Sequence, residues 1–264
     1  MLNIFKLTFY TVIIRVTSLS FRLMFIIFFA KFYSLDVIGA YGLIVAVVAI
    51  ATQFIPFEFY NYSTLEVLDD DSINKKRQFL SNHIFFTITM LFFSIPLMYL
   101  IFDFTNIDYS LFPLVMLLII FETLSKEFGK ILIALEKPIH CYIVAFLISV
   151  PWVFVVLILL FQNIILDIEG IVKLWVASTF LASFFGFYAT GIKFRSIFDT
   201  KTLSLNWIKK GILFSFPFVV AVFSYSVSQH AGRFFLSEYV SKDIVGIFSI
   251  YFQIGALLLI IADL

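Results

Sequence analysis

Charge is what this sequence has least of. Only 13% of its 264 residues are Asp, Glu, Lys or Arg, where a soluble domain carries about 25%. Cysteine is limited to Cys141, which excludes an internal disulfide and a cysteine metal cluster. There is no Gly-rich phosphate loop with Lys and Ser or Thr, no Gly-x-Ser-x-Gly elbow and no paired-histidine metal motif. An ATP motor, a hydrolase of that type and a metal centre are therefore excluded as readings of the sequence. Loops long enough to fold as soluble domains are missing too. Apolar surface is what remains: 62% hydrophobic residues, 37 phenylalanines and a mean hydropathy of +1.07. A core of this size cannot hide it all, so the excess faces lipid. A soluble enzyme, a nucleic-acid binder and a disordered linker are ruled out.

A helix needs about 20 mostly apolar residues to cross the bilayer. Eight segments qualify: Phe9–Ala30, Val37–Phe59, His83–Phe102, Leu111–Ile133, Ile139–Phe161, Ile171–Ile192, Gly211–Phe234 and the stretch from Asp243 onward. They are twice the length of a membrane β-strand and do not alternate. The expected fold is an all-α polytopic membrane protein with eight transmembrane helices. Arg15 and Arg22 interrupt the first segment, so it reads as a retained helix and not a secretory signal. Alternate sides of the eight-helix arrangement hold twelve and four Lys or Arg residues, with Arg15 and Arg22 inside the first helix. That bias puts the N-terminus in the cytoplasm. The run Asp69-Asp70-Asp71 followed by Lys75-Lys76-Arg77 reads as a solvated cytoplasmic turn, and the many aromatics as lipid-facing bulk.

One internal match stands out. Ser34-Leu35-Asp36-Val37-Ile38-Gly39-Ala40-Tyr41 aligns with Ser241-Lys242-Asp243-Ile244-Val245-Gly246-Ile247-Phe248 at an offset of 207 residues. Asp is read as a helix cap and Gly as a close-packing position one turn later; chance likeness of two junctions is the alternative. A true repeat makes residues 1–208 a six-helix bundle and 209–264 the first two helices of a second, parallel repeat. On this expectation the chain is the front part of a longer transporter.

Ionisable residues at membrane depth are costly and point to function. Thr8, Thr11, Arg15, Ser18 and Arg22 form one stripe on the first helix. Two arginines about 10 Å apart along a helix can hold a polyanion bidentately, or can snorkel to headgroups. Glu122, Lys126 and Lys130 follow at i, i+4 and i+8 on the fourth helix, either as a functional cluster or as a neutralised structural pair. The seventh helix presents Ser215, Ser226, Gln229, His230 and Arg233 on one side, with Pro217 near its start; Pro56 and Glu58 echo that pattern late in the second. The candidate cationic cavity comprises Arg15, Arg22, Lys126, Lys130 and Arg233. Glu58, Glu122 and His230 are candidates for coupling to a proton or sodium gradient, although His230 also reads as a packing residue. No cofactor and no metal are implied.

Four stretches together carry a family likeness. They are Ser34–Val48 with Asp36, Gly39, Tyr41 and Gly42, the link Ala134-Leu135-Glu136-Lys137-Pro138, the pair Phe216-Pro217, and Arg233–Ser249. This ensemble resembles the polysaccharide-export flippases, including the O-antigen (Wzx-type) flippases of the multidrug/oligosaccharidyl-lipid/polysaccharide superfamily. One departure is Gly232, where the family often carries an acid before the arginine; another is the family's twelve or more helices. The resemblance implies two six-helix bundles around a cationic cavity that alternates between leaflets. Its cargo would be an undecaprenyl-pyrophosphate-linked oligosaccharide, and its setting the bacterial cytoplasmic (inner) membrane, alongside other polysaccharide assembly proteins. The implied role is flipping of repeat units for O-antigen, capsule or exopolysaccharide, without enzymatic activity. Competing readings are a multidrug-type antiporter and a membrane glycan polymerase or O-acyltransferase; for the last, His230 alone is eligible as the buried histidine.

Overall fold

The computed structural model describes residues 2–262 except 70–71, 104, 106 and 199–202, with side chains over 11–256 outside those positions and 69, 73, 74 and 77. Lys201, Asp70 and Asp71, and the side chains of Lys6, Thr8 and Arg77, lie outside the described residues. No strand occurs among the described residues. The helices are α1 (Leu2–Phe32), α2 (Leu35–Phe54), α3 (Tyr60–Asp69), α4 (Ile73–Asp103), α5 (Phe112–Ala134), α6 (Pro138–Ser149), α7 (Pro151–Phe161), α8 (Ile168–Thr190), α9 (Phe194–Ile197), α10 (Leu205–Tyr239) and α11 (Lys242–Ala262).

Each of the eight expected segments is largely helical among the described residues. Among the described residues six helices are long and apolar enough to span: Thr11–Phe32, Leu35–Phe54, Gln78–Asp103, Pro138–Phe161, Ile168–Thr190 and Leu205–Tyr239. The protein is thus an all-α, multi-pass membrane protein by length and composition. The eight-span expectation differs at α5, which carries Glu122, Lys126, Glu127 and Lys130 within its 23 residues, and at α11, whose last residues have undescribed side chains. Two expected helices are also broken. α2 stops at Phe54 instead of Phe59, because Pro56 has no N–H to continue it and Phe57 and Glu58 adopt left-handed backbone (φ 57° and 48°). The fifth expected helix divides at Val150, with Pro151 opening α7.

α2 is the central element. It packs against α1, α5, α10 and α11, so 61% of its apolar window is buried, against 17% in α1. This is why α2 is apolar on every side. An aromatic knot holds α1 and α2 to α7 and α8. The Phe25 and Trp152 rings meet edge-on at 5.0 Å, Trp152 and Trp175 stack at 5.3 Å, and Tyr41 lies 5.5 Å from Phe25. A second knot of Phe59, Phe86 and Trp207 joins the turn before α3 to α4 and α10. The aromatics are therefore divided between core and lipid face: Phe25 and Phe59 are fully buried, whereas Phe92, Phe93 and Tyr188 are exposed.

The two matched junctions pack against one another. A Cβ at Gly39 would collide with the carbonyl oxygen of Lys242, and one at Gly246 with that of Leu35. Leu35 and Lys242 are themselves 207 residues apart, so the same contact is made twice, each helix playing the other's part. The next pair in register repeats it, since a Cβ at Gly42 would strike Ser249 Oγ. The aspartates do not act as caps: Ser34 occupies the N-cap of α2 without a side-chain bond, and Asp36 and Asp243 lie within the first turns. There they face the positive helix end.

Overpacking of this kind costs about 1–3 kcal/mol. Gly39→Ala and Gly246→Ala are each expected to lower the thermal unfolding midpoint in detergent. Gly255→Ala, with open space around it, is expected to leave the midpoint within error.

Candidate functional site

Two cavities open between the helices and share Lys126 and Ile148 in their walls. The first, about 330 Å³, is bounded by Arg22, Tyr41, Glu122, Lys126, His230 and Gln253. The second, about 400 Å³, is bounded by Thr52, Glu58, Lys126, Lys130 and Cys141 among others. Six of the eight residues singled out in the sequence therefore line one cavity or both. Arg15 lines neither: it is exposed, its guanidinium 5.8 Å from the centre of the Tyr142 ring. The stripe on α1 is consequently split, with Arg22 on the cavity and Arg15 away from it. Arg233 lies behind the first cavity, 1% exposed.

α5 supplies most of the charge. Lys126 Nζ sits 2.8 Å from Glu122 Oε1, one turn before it, and donates to Thr52 Oγ1 of α2 at 2.9 Å. The other oxygen of Glu122, Oε2, is buried without a hydrogen-bond partner. Lys126 thus stands between the cavities with its ammonium tied to both α5 and α2. Lys130 does not extend this pair, as the i+8 spacing suggested. It sits 2.8 Å from Glu127 Oε1 and 4.0 Å from Glu58 Oε1, and 5.7 Å from the Tyr60 ring centre. Glu127 Oε1 thus has an ionic neighbour at 2.8 Å but no hydrogen-bond partner by geometry. Glu58 is fixed by the α2–α3 break: its carbonyl accepts from Ser215 Oγ and its Oε2 from Asn61 Nδ2, both at 3.2 Å.

Behind Lys130 lies a group that the sequence reading passed over. Glu127 Oε2 is 2.8 Å from His83 Nε2, and His83 Nδ1 is 2.6 Å from Ser63 Oγ. His83 is 0% exposed, Ser63 1% and Glu127 2%. The fully buried histidine is therefore His83 and not His230, which is half-buried. One signal was available: Glu127 precedes Lys130 by three residues, a spacing that pairs side chains on a helix as surely as four. Nothing local marks His83 or Ser63, whose partners come from α4, α3 and α5.

On α10 the expected polar side is the buried one: Ser215, Ser226 and Arg233 all face inward. Arg233 donates from Nη1 to His230 Nδ1 at 2.9 Å and lies 4.5 Å over the Phe252 ring. An arginine only donates, so Nδ1 accepts and the ring proton of His230 is on Nε2. Arg233 Nε has no partner, and no carboxylate pairs with Arg233 among the described residues. Gly232, where the resembled family often has an acid, lets the Phe248 ring approach; a Cβ there would lie 3.2 Å from it.

Breaking a buried ion pair from one side costs about 3–5 kcal/mol. Lys126 is 39% exposed, so solvent reduces that cost to roughly 1–3 kcal/mol for Lys126→Met. Unfolding of the purified protein is expected to show this loss, with Glu122→Gln/Lys126→Met recovering most of it because no unpaired carboxylate remains. Among known proteins, no family model, curated protein or solved structure matches this chain.

Proposed function

We propose that this protein is a membrane transporter that flips lipid-linked oligosaccharide repeat units across the bacterial cytoplasmic membrane, for O-antigen, capsule or exopolysaccharide synthesis. The observation that carries the reading is Arg233, buried without a counter-ion among the described residues and bonded to His230 on the wall of a cavity that exposes Arg22 and Lys126. An uncompensated buried cation is expensive, and a pyrophosphate diester would compensate it. Guanidinium groups grip phosphate oxygens in a fixed fork, and the Nε2–H of His230 and the Gln253 amide add neutral donors. The polyprenyl chain of such a cargo stays in lipid while its headgroup crosses.

The reciprocal Gly39–Gly246 contact supports residues 1–208 and 209–264 as parts of two parallel repeats, the arrangement that alternating access uses. With Lys126, Lys130 and Arg233 assigned to helix interiors, ten basic residues still stand against three, which supports a cytoplasmic N-terminus. Transport is favoured over catalysis because Ser63 and His83, a nucleophile–base pair with an acid behind it, line neither cavity. A cation antiporter is disfavoured because the walls of the first cavity would repel its cargo.

A fluorescent polyprenyl pyrophosphate reconstituted in proteoliposomes tests the proposal by dithionite quenching. Arg22→Ala is expected to slow flipping at least tenfold, Arg233→Gln at least as much, and Arg15→Ala less than twofold. Unchanged flipping in Arg22→Ala, whose exposed side chain makes misfolding no explanation, overturns the reading.

A further inference from the structure

The chain Ser63–His83–Glu127–Lys130–Glu58 is not used by the anion site, yet two of its members line the second cavity. Its charges do not balance. With both acids ionised, Glu58 and Glu127 set two negative charges against the one positive charge of Lys130, in a cluster where Glu127 is 2% and the Glu58 side chain 18% exposed. Net charge in such a place is costly, and one added proton removes it. The geometry also accepts either state. Ser63 Oγ lies 2.6 Å from His83 Nδ1 and 3.2 Å from the Tyr60 carbonyl oxygen. With the proton present, His83 donates from Nε2 to Glu127 and from Nδ1 to Ser63, whose hydroxyl donates to Tyr60. With it absent, the Ser63 hydroxyl turns and donates to Nδ1. Rotation of a single O–H keeps both ring nitrogens of His83 bonded in either state.

We propose that the His83–Glu127 pair is a reversible proton-binding site that sets how tightly Lys130 is held, and so links proton binding to anion binding in the cavities. When the pair holds its proton, the cluster is neutral and Lys130 is shared between Glu127 and Glu58. When the pair gives up its proton to water, the added negative charge draws the Lys130 ammonium inward and lowers the positive potential at the cavity wall. Proton and anion therefore favour each other's binding. The proton belongs to the pair as a unit. The groups facing that pair are Ser63 and Tyr60 from α3, Glu58 from the preceding break and Lys130 from α5, with the Phe59 ring edge-on at 5.8 Å. On α10, which packs against the other side of α3, Lys209 and Lys210 are exposed. The proton site stands on the cluster alone; its linkage to anions rests on the transport reading above.

The test is nitrogen NMR of the full chain, labelled with ¹⁵N-histidine in lipid nanodiscs, between pH 5 and 9. The His83 signals are assigned with His83→Asn or, should that variant not fold, by elimination with His140→Asn and His230→Asn. The His83 ring is expected to pass from doubly to singly protonated, with the midpoint at least one pH unit lower in Glu127→Gln. Inorganic pyrophosphate is expected to bind at least tenfold more tightly on the acid side of that midpoint, and by reciprocity to raise the midpoint by about one unit when saturating. Lys130→Gln is expected to reduce the affinity ratio below twofold. A His83 ring that stays singly protonated throughout, or a midpoint unmoved in Glu127→Gln, overturns the proposal. If His83 titrates and pyrophosphate binds at neither pH, the proton site is upheld and the anionic-cargo reading falls.

Discussion

Much of the interior depends on how closely α2 and α11 cross. At Gly39 and Gly246 each backbone occupies the space where the other's side chain would be, and Gly42 against Ser249 continues the contact. In lipid there is no hydrophobic force between helices, so small residues that let backbones meet supply the association. That crossing places α11, and with it α10, beside α1 and α2. Arg233 and His230 consequently stand near Arg22, and Gln253 closes the wall of the first cavity. A bulky residue at Gly39 would spread the helices that form that wall.

A second constraint is the cost of charge away from water. The protein meets it unevenly. On α5 each base has an acid three or four residues earlier, and the second acid is backed by His83. This internal pairing lets a helix with four ionised residues sit against α2, α6 and α8. α10 departs from the pattern. Its arginine is buried and, among the described residues, is met by an imidazole and a ring face in place of a carboxylate. Among the described residues Arg233 is thus the buried charge left without a carboxylate, and the proposed transport role rests on that contrast.

The sequence made some of this readable and not the rest, for physical reasons. Helical segments were legible because lipid demands long apolar runs, and the 207-residue match was legible because the same junction is used twice. That the two matched junctions touch was not, since likeness of two segments says nothing about whether they meet. Glu122, Lys126, Lys130, Arg22, Glu58 and His230 were found because a charge in an apolar run is conspicuous. His83 and Ser63 were missed because their partners come from other helices. The break after Phe54 was missed because Pro56 is tolerated near helix ends, and only the left-handed Phe57 and Glu58 reveal that the chain turns there.

That break ties the two halves of the site together. Non-glycine residues in left-handed backbone cost roughly 1–2 kcal/mol each, and strain of this kind persists only where the surroundings over-determine it. Here the surroundings are specific: Ser215 of α10 bonds the Glu58 carbonyl, Asn61 bonds its carboxylate, and Lys130 attracts it from α5. Ser215 lies two residues before Pro217, where α10 lacks a backbone bond and bends most easily. A bend of α10 at that point would pull on the Glu58 carbonyl, and movement of Glu58 would change its hold on Lys130. The same helix carries Arg233 and His230 nearer its other end. One strained turn therefore couples the helix that bears the unpaired arginine to the ion-pair network around His83, by contacts that are all local and all visible.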